Sequence, residues 1–399
     1  MSFPDKPVAQ LLGASGPIHA VTYSAGAGSY VLTGSSDRSI RLYNPLPTTG
    51  TACSAGGKSA GNGFVTKTSG SPAAAAIPEG RLIQTYTEHG YEVLSLACAA
   101  DNARFASAGG GRSVFLWDVS TAQTLRRFSG HAGRVNCVCF AGDGDSLVLS
   151  GGFDTTVRIW DTRSGGNSTS GGKPIQTLSE ARDAISALVV RGPEILAASV
   201  DGRVRCYDAR TGRLTTDVVS GSVGVTSLAL TRDGRSLLVG ALDSRLRLLD
   251  RDNGACLRTY AAPGAWRNEE LRVQSLLGGR ERFVVAGDEM DPQGANGGSS
   301  SGSSSGGSGL SLPPSPASIN TAPSGRVWAW DLLTGNVVAT VSVPWGPPGS
   351  TSNSRAVGRD GREKERRNVT SCLSWQDGGW GEQFCVGGTS GVVTVFGPR

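Results

Sequence analysis

Apolar and polar positions alternate along short segments of this chain, and clusters of Gly, Asp, Ser and Asn separate the segments. Alternation with a period of two predicts half-buried β-strands joined by tight turns. The fullest copy runs through Val135-Asn136-Cys137-Val138-Cys139-Phe140, a turn at Asp143-Gly144, Ser146 to Ser150, a second turn around Asp154, and Val157 to Trp160. Pro174 to Leu178 supplies a further, outermost strand.

The end of this copy recurs. Gly151-Gly152-Phe153-Asp154-Thr155-Thr156-Val157-Arg158-Ile159-Trp160-Asp161 has relatives at Asp37 to Tyr43, Asp201 to Tyr207 and Asp243 to Leu249, each with an Asp six residues before an aromatic or Leu. Weaker copies end at Trp117, Trp330 and Phe396, where Gly111, Ser324 and Ser390 occupy the Asp position. Successive endings lie 43 residues apart from Trp117 to Trp160, 47 from Trp160 to Tyr207 and 42 from Tyr207 to Leu249. A repeat of about 40–45 residues reads as one four-stranded blade that is stable only when stacked on its neighbours. The seven endings therefore predict an all-β, seven-bladed β-propeller in one domain spanning residues 1–399. After Val369 to Trp375, Phe384 to Gly387 and Val392 to Phe396, only three strands remain for the last blade, so residues near Val8 to Leu12 are expected to complete it. Closure of this kind removes two sheet edges that would otherwise be open to pairing.

Three insertions interrupt the repeat: 45–80, 292–324 and 344–368, with a smaller one at 164–172. The first two are rich in Gly, Ser, Ala and Pro and bury too little apolar surface to offset ordering, so they are expected to be disordered loops. The third carries Arg355, Arg359, Arg362, Lys364, Arg366 and Arg367 against Asp360, Glu363 and Glu365, and is expected to be a mobile charged loop. It accounts for +3 of the net charge of +5, leaving the rest of the chain almost neutral. Acidic residues break up the basic run and no aromatic accompanies it for stacking, which argues against nucleic-acid contact.

Eight cysteines without paired spacing, several of them at strand positions such as Cys98, Cys137, Cys139, Cys206 and Cys372, read as small core residues of a protein in a reducing compartment. With three histidines and no second Cys pair, no metal site is expected. There is no apolar run of spanning length and no charged-then-apolar amino terminus, so neither membrane insertion nor secretion is expected. The Asp residues fall at turns, where their side chains bond nearby amides. Gly109-Gly110-Gly111 lacks the Lys-Ser or Lys-Thr of a phosphate loop. The sequence thus assigns no catalytic residue, no cofactor and no small-molecule substrate.

The repeat resembles that of the WD-repeat family. That resemblance implies a buried, hydrogen-bonded tetrad of His131, Ser150, Asp154 and Trp160, and an incomplete one of His89, Ser107 and Trp117 where Gly111 replaces the acid. Residues flanking the tetrad turns are then expected to border the mouth of the central channel and to meet partners: Glu92, Arg134, Phe153, Arg182, Val200 and Leu242. Phe153 either is exposed for contact or covers the neighbouring blade. Stretches such as Tyr86-Thr87-Glu88-His89-Gly90-Tyr91-Glu92, Gln176-Thr177-Leu178-Ser179-Glu180-Ala181-Arg182-Asp183 and Glu194-Ile195-Leu196-Ala197-Ala198-Ser199-Val200-Asp201-Gly202 are similar to the mitogen-activated protein kinase organiser family of scaffolds, from about residue 16 to residue 260. The resemblance implies a non-enzymatic platform, monomeric within larger complexes of kinase-cascade components and of splicing factors, in cytoplasm and nucleus. An alternative rests on Trp160-Asp161-Thr162-Arg163 and Tyr207-Asp208-Ala209-Arg210, which resemble the docking box of cullin ubiquitin-ligase receptors and would use Asp161, Arg163, Asp208 and Arg210.

Overall fold

The computed structural model describes residues 3–46, 77–163, 172–289, 325–346, 355–357, 363–365, 368–376 and 382–398. Blade one comprises β2 (Ile18–Tyr23), β3 (Val31–Ser35), β4 (Ile40–Asn44) and β5 (Arg81–Tyr86). Blade two has β6 (Val93–Cys98), β7 (Arg104–Gly109), β8 (Ser113–Asp118) and β9 (Thr124–Ser129). Blade three has β10 (Val135–Ala141), β11 (Leu147–Gly152), β12 (Val157–Asp161) and β13 (Gln176–Leu178). Blade four follows with β14 (Ile185–Arg191), β15 (Glu194–Ser199), β16 (Arg203–Asp208) and β17 (Leu214–Val218). Blade five has β18 (Val225–Leu230), β19 (Ser236–Ala241), β20 (Arg245–Asp250) and β21 (Cys256–Tyr260). Blade six has β22 (Ser275–Gly278), β23 (Phe283–Gly287), β24 (Gly325–Asp331) and β25 (Val337–Val343). Blade seven joins β28 (Thr370–Gln376), β29 (Gln383–Gly388) and β30 (Val393–Gly397) to β1 (Lys6–Leu11) from the start of the chain.

Each blade is an antiparallel four-stranded sheet. The innermost strands pack on one another in the cyclic order β2, β6, β10, β14, β18, β22, β28 and back to β2. This is a closed seven-bladed β-propeller. Burial falls off from the second strand outward. β3 and most of β11 are buried throughout, whereas the edge strand β17 is exposed along its whole length. The second strands accordingly read as nearly continuous runs of small and apolar residues, because both of their faces lie against neighbouring blades. All seven repeat endings, Tyr43, Trp117, Trp160, Tyr207, Leu249, Trp330 and Phe396, are buried between blades.

Closure uses the amino-terminal strand as the sequence suggests, with a shifted boundary. β1 spans Lys6–Leu11 and pairs antiparallel with β30 from Lys6 opposite Gly397 to Leu11 opposite Val393. A bulge between Pro7 and Ala9 absorbs the proline, which has no N–H to give the ladder, so pairing begins earlier than at Val8. Phe3 extends the latch, its ring 5.3 Å from that of Phe283 in blade six and 5.4 Å from that of Phe384 in blade seven.

Insertion 292–324 lies outside the described residues, as do 47–76 of the first and 164–171 of the small one. Of the third insertion the structure describes 344–346, 355–357, 363–365 and 368. β26 (Arg355–Val357) pairs antiparallel with β27 (Glu363–Glu365), setting Arg355 opposite Glu365 and Val357 opposite Glu363. Among the described residues no helix is long and apolar enough to cross a membrane, and no group of His, Cys, Asp and Glu is arranged to hold a metal. Cys137, Cys372 and Cys385 are buried free thiols, and burial pushes Cys137 up to about 11.

Candidate interaction face

In blade three the strand ends assemble a complete polar chain. The Trp160 indole N–H donates to Ser150 Oγ at 2.8 Å, Ser150 Oγ lies 2.8 Å from His131 Nε2, and His131 Nδ1 lies 2.9 Å from Asp154 Oδ1. An indole N–H only donates, so Ser150 Oγ accepts from Trp160, and we assign the ring N–H that faces the carboxylate to His131 Nδ1, with the Ser150 hydroxyl donating to Nε2. Asp154 also accepts from the Ala132 amide at 2.9 Å and the Thr156 hydroxyl at 2.9 Å. Burial opposes its ionisation, yet the bonds from His131 and Ala132 hold Asp154 well below the usual carboxylate range. The turn places Thr155 at φ 64°, a left-handed conformation unfavourable for a β-branched residue.

Blade two repeats half of this. Trp117 donates to Ser107 Oγ at 2.7 Å and Ser107 Oγ lies 2.7 Å from His89 Nε2, but Gly111 stands where Asp154 stands in blade three. Desolvation, helped by the nearby Arg127 cation, pushes His89 down to about 4, so it is neutral at physiological pH.

Four blades pair the turn acid with a guanidinium. Asp37, Asp154, Asp201 and Asp243 each pair with the Arg four residues later: Arg41 at 2.7 Å, Arg158 at 3.7 Å, Arg205 at 2.7 Å, and Arg247. Each Asp sits in the turn and each Arg on the strand that follows it, so this Asp-x-x-x-Arg spacing was a readable signal that the repeat endings alone do not convey. In blade four Arg205 is buried and also donates to Ser199 at 2.8 Å, a guanidinium serving where Ala181 leaves no imidazole. In blade six Ser324 lies outside the described residues. The acid there is Asp288, fully buried, which accepts from the Trp328 indole at 2.8 Å and pairs with Arg326 at 3.2 Å. It follows directly on β23, before the insertion, so counting back from Trp330 missed it. Ala286, the counterpart of Ser150 by register, leaves the buried Trp330 indole N–H without an acceptor among the described residues.

The six candidate contact residues lie on the tetrad side, Glu92, Arg134 and Arg182 just ahead of innermost strands and Phe153, Val200 and Leu242 in the turns after second strands. Backbone bonds tie the second-strand turns to the segments ahead of the innermost strands: the Phe153 amide donates to Arg134 at 2.8 Å, Val200 to Ala184 at 2.9 Å and Leu242 to Gly224 at 3.0 Å. Phe153 is 54% exposed, with the Arg134 guanidinium 5.1 Å from its ring centre, so it does not cap the next blade. Val200 is exposed and Leu242 half-buried, and both border Gly224. Glu92 is half-buried, and Arg182 is exposed with its amide 3.3 Å from Asp201.

The box residues lie at turns between third and fourth strands, on the opposite side. The Asp161 carboxylate accepts from the Arg163 amide at 2.7 Å, and Asp208 from the Arg210 amide at 2.8 Å, so turn geometry accounts for both acids. Arg163 reaches the Asp143 carbonyl at 3.2 Å, while Asp208 and Arg210 line a shallow cleft of 560 Å³ with Arg191 and Glu194.

The WD domain, G-beta repeat family matches residues 5–44, 80–118 and 122–161. Each match begins with the outer strand of one blade and ends with the third strand of the next. That one-strand offset between repeat and blade is what makes the chain's first strand available to close its last blade. The chain is 36% identical over 286 residues to WD repeat domain-containing protein 83 of Rattus norvegicus, covering 72% of this chain and 77% of that protein, and equally to its Homo sapiens counterpart. It is 25% identical over 304 residues to the WD repeat domain-containing protein 83 homolog of Dictyostelium discoideum, across 69% of this chain and 80% of that protein. The fold, the shared repeat and this likeness together establish that the chain belongs to the WD-repeat family of protein-interaction scaffolds.

Proposed function

We propose that this chain is a non-enzymatic organiser of multiprotein complexes of the mitogen-activated protein kinase organiser type, with a role in pre-mRNA splicing complexes, acting in both cytoplasm and nucleus. The observation that carries the reading is the pairing of Arg134 with the exposed ring of Phe153 on a rim held by backbone hydrogen bonds. Aromatics and Arg dominate the energetics of protein interfaces, and a rigid frame limits the ordering cost of docking. Affinity purification of the tagged full chain from nuclear and cytoplasmic extracts, followed by mass spectrometry, tests it. Kinase-cascade components or splicing factors should be recovered, and the double substitution Arg134→Ala, Phe153→Ala should deplete them. Recovery of neither class would overturn the proposal. Recovery instead of a cullin-ligase adaptor, lost on Arg163→Ala and Arg210→Ala, would replace it with the receptor role.

A further inference from the structure

A cleft of 680 Å³ opens on the tetrad side between blades two and three, where Gly111 of the turn Gly110-Gly111-Arg112 stands in place of the turn acid. His89, Tyr91, Gly111, Arg112, Arg127 and Arg134 line it. His89 is only 6% exposed, and among the described residues its single hydrogen bond runs from Nε2 to Ser107. Trp117 donates to the same Ser107 oxygen, and we assign the proton of the neutral imidazole to Nδ1, the tautomer in which the Ser107 hydroxyl donates to Nε2. In blade three the corresponding N–H meets Asp154; in blade two it faces the glycine turn. Nδ1 has no protein partner among the described residues and borders the cleft, where a ligand atom can reach it.

The surroundings set the charge of that ligand. Arg127 lies 5.4 Å from the centre of the Phe115 ring, which is tilted against the ring of His89 with centroids 4.4 Å apart. Arg112 and Arg134 add two exposed cations at the rim. Glu88 is the acid among the lining residues, and the Thr124 hydroxyl bonds its carboxylate at 2.5 Å. Tyr91, 61% exposed, and the neighbouring Phe153 supply aromatic surface for the flanking chain of a bound peptide. We propose that this cleft binds an acidic peptide of a partner protein, whose Asp or Glu carboxylate takes the place of the absent tetrad acid, accepting from His89 Nδ1 and pairing with Arg127. The proposal rests on the reading of the chain as an interaction scaffold and names the chemistry of one of its partners.

The glycine offers a direct test. A Cβ on Gly111 would meet only Tyr91, at 3.5 Å, an ordinary contact, so Gly111→Asp can restore the carboxylate within the chain and fill the cleft. Binding of fluorescein-labelled hexaglutamate to the full chain is measured by fluorescence anisotropy, with hexaglutamine as control. The expected result is saturable binding of hexaglutamate only, weakened at least tenfold by Gly111→Asp and by Arg127→Gln, with a shift of the His89 side-chain ¹⁵N resonances on titration into the wild type. Thermal melts verify that both variants are folded. No binding, or binding that Gly111→Asp and Arg127→Gln leave unchanged, would overturn the proposal. Pull-downs separate this failure from failure of the scaffold reading. If only the cleft assignment is wrong, wild type and Gly111→Asp recover the same complexes; if the scaffold reading is wrong, the wild type recovers none.

Discussion

Blades two and three carry the same Trp–Ser–His chain with nearly the same distances, and differ at its end, where one has Asp154 and the other Gly111. In blade three the carboxylate gathers His131, Ala132 and Thr156 and closes the turn over the imidazole. In blade two the same stem ends in a neutral, buried imidazole beside an open cleft. One side chain thus separates a structural network from a surface able to receive a ligand. The stem alone suffices to seat the buried Trp, because Ser107 satisfies the Trp117 indole without help from an acid.

The largest effect should come from converting blade three into blade two. Asp154→Ala strands the His131 and Ala132 donors and is expected to lower unfolding free energy by about 3 kcal/mol in denaturant titrations. A loss under 1 kcal/mol would mean the acid is dispensable there as well. Acid should act next, on blade two. The folded protein holds His89 at about 4, below the ordinary imidazole value of about 6.5, so between the two the unfolded chain binds the proton more readily. Stability therefore falls as pH drops from 6.5 towards 4, by roughly 2–3 kcal/mol from this group. The slope over that window should be shallower in His89→Gln, and equal slopes would remove the buried neutral imidazole from the account.

Smaller gains are expected from restoring missing partners. Gly111→Asp should raise stability by about 1 kcal/mol, since the new acceptor satisfies His89. Ala286→Ser in blade six should gain about 1 kcal/mol by giving the Trp330 indole the hydroxyl that Trp117 and Trp160 already have. No change in the melt would show that this indole is satisfied otherwise. Smallest of all, Thr155→Gly relieves a left-handed β-branched residue and should add about 0.5 kcal/mol, checked by chemical denaturation.

Much of this architecture is legible in the sequence because the repeat ending combines a turn acid with a strand of fixed length. Six residues from Asp154 to Trp160 span one turn and one strand, and the same geometry recurs at Tyr43, Tyr207 and Leu249. The latch could be anticipated from the three strands left after Val369, although its start at Lys6 depended on how a bulge accommodates Pro7. Asp288 could not be found by counting back from Trp330, since an insertion separates an acid from the strand that its network serves. The hairpin within the basic loop escaped because its two three-residue strands carry charged residues rather than an apolar alternation. Gly111 was readable as a missing acid. The cleft was not, because it depends on Arg127 from β9 and Arg134 from the next blade converging on one turn.

The most direct test follows the His89 imidazole by long-range ¹H–¹⁵N correlation across a pH titration of the wild type and of Gly111→Asp. The expected result is a neutral ring with its proton on Nδ1, titrating near pH 4 in the wild type and at higher pH once a carboxylate stands beside it. An Nε2-protonated ring, or the same midpoint in both proteins, would contradict the view that the glycine leaves an imidazole N–H facing the cleft for an acid to accept.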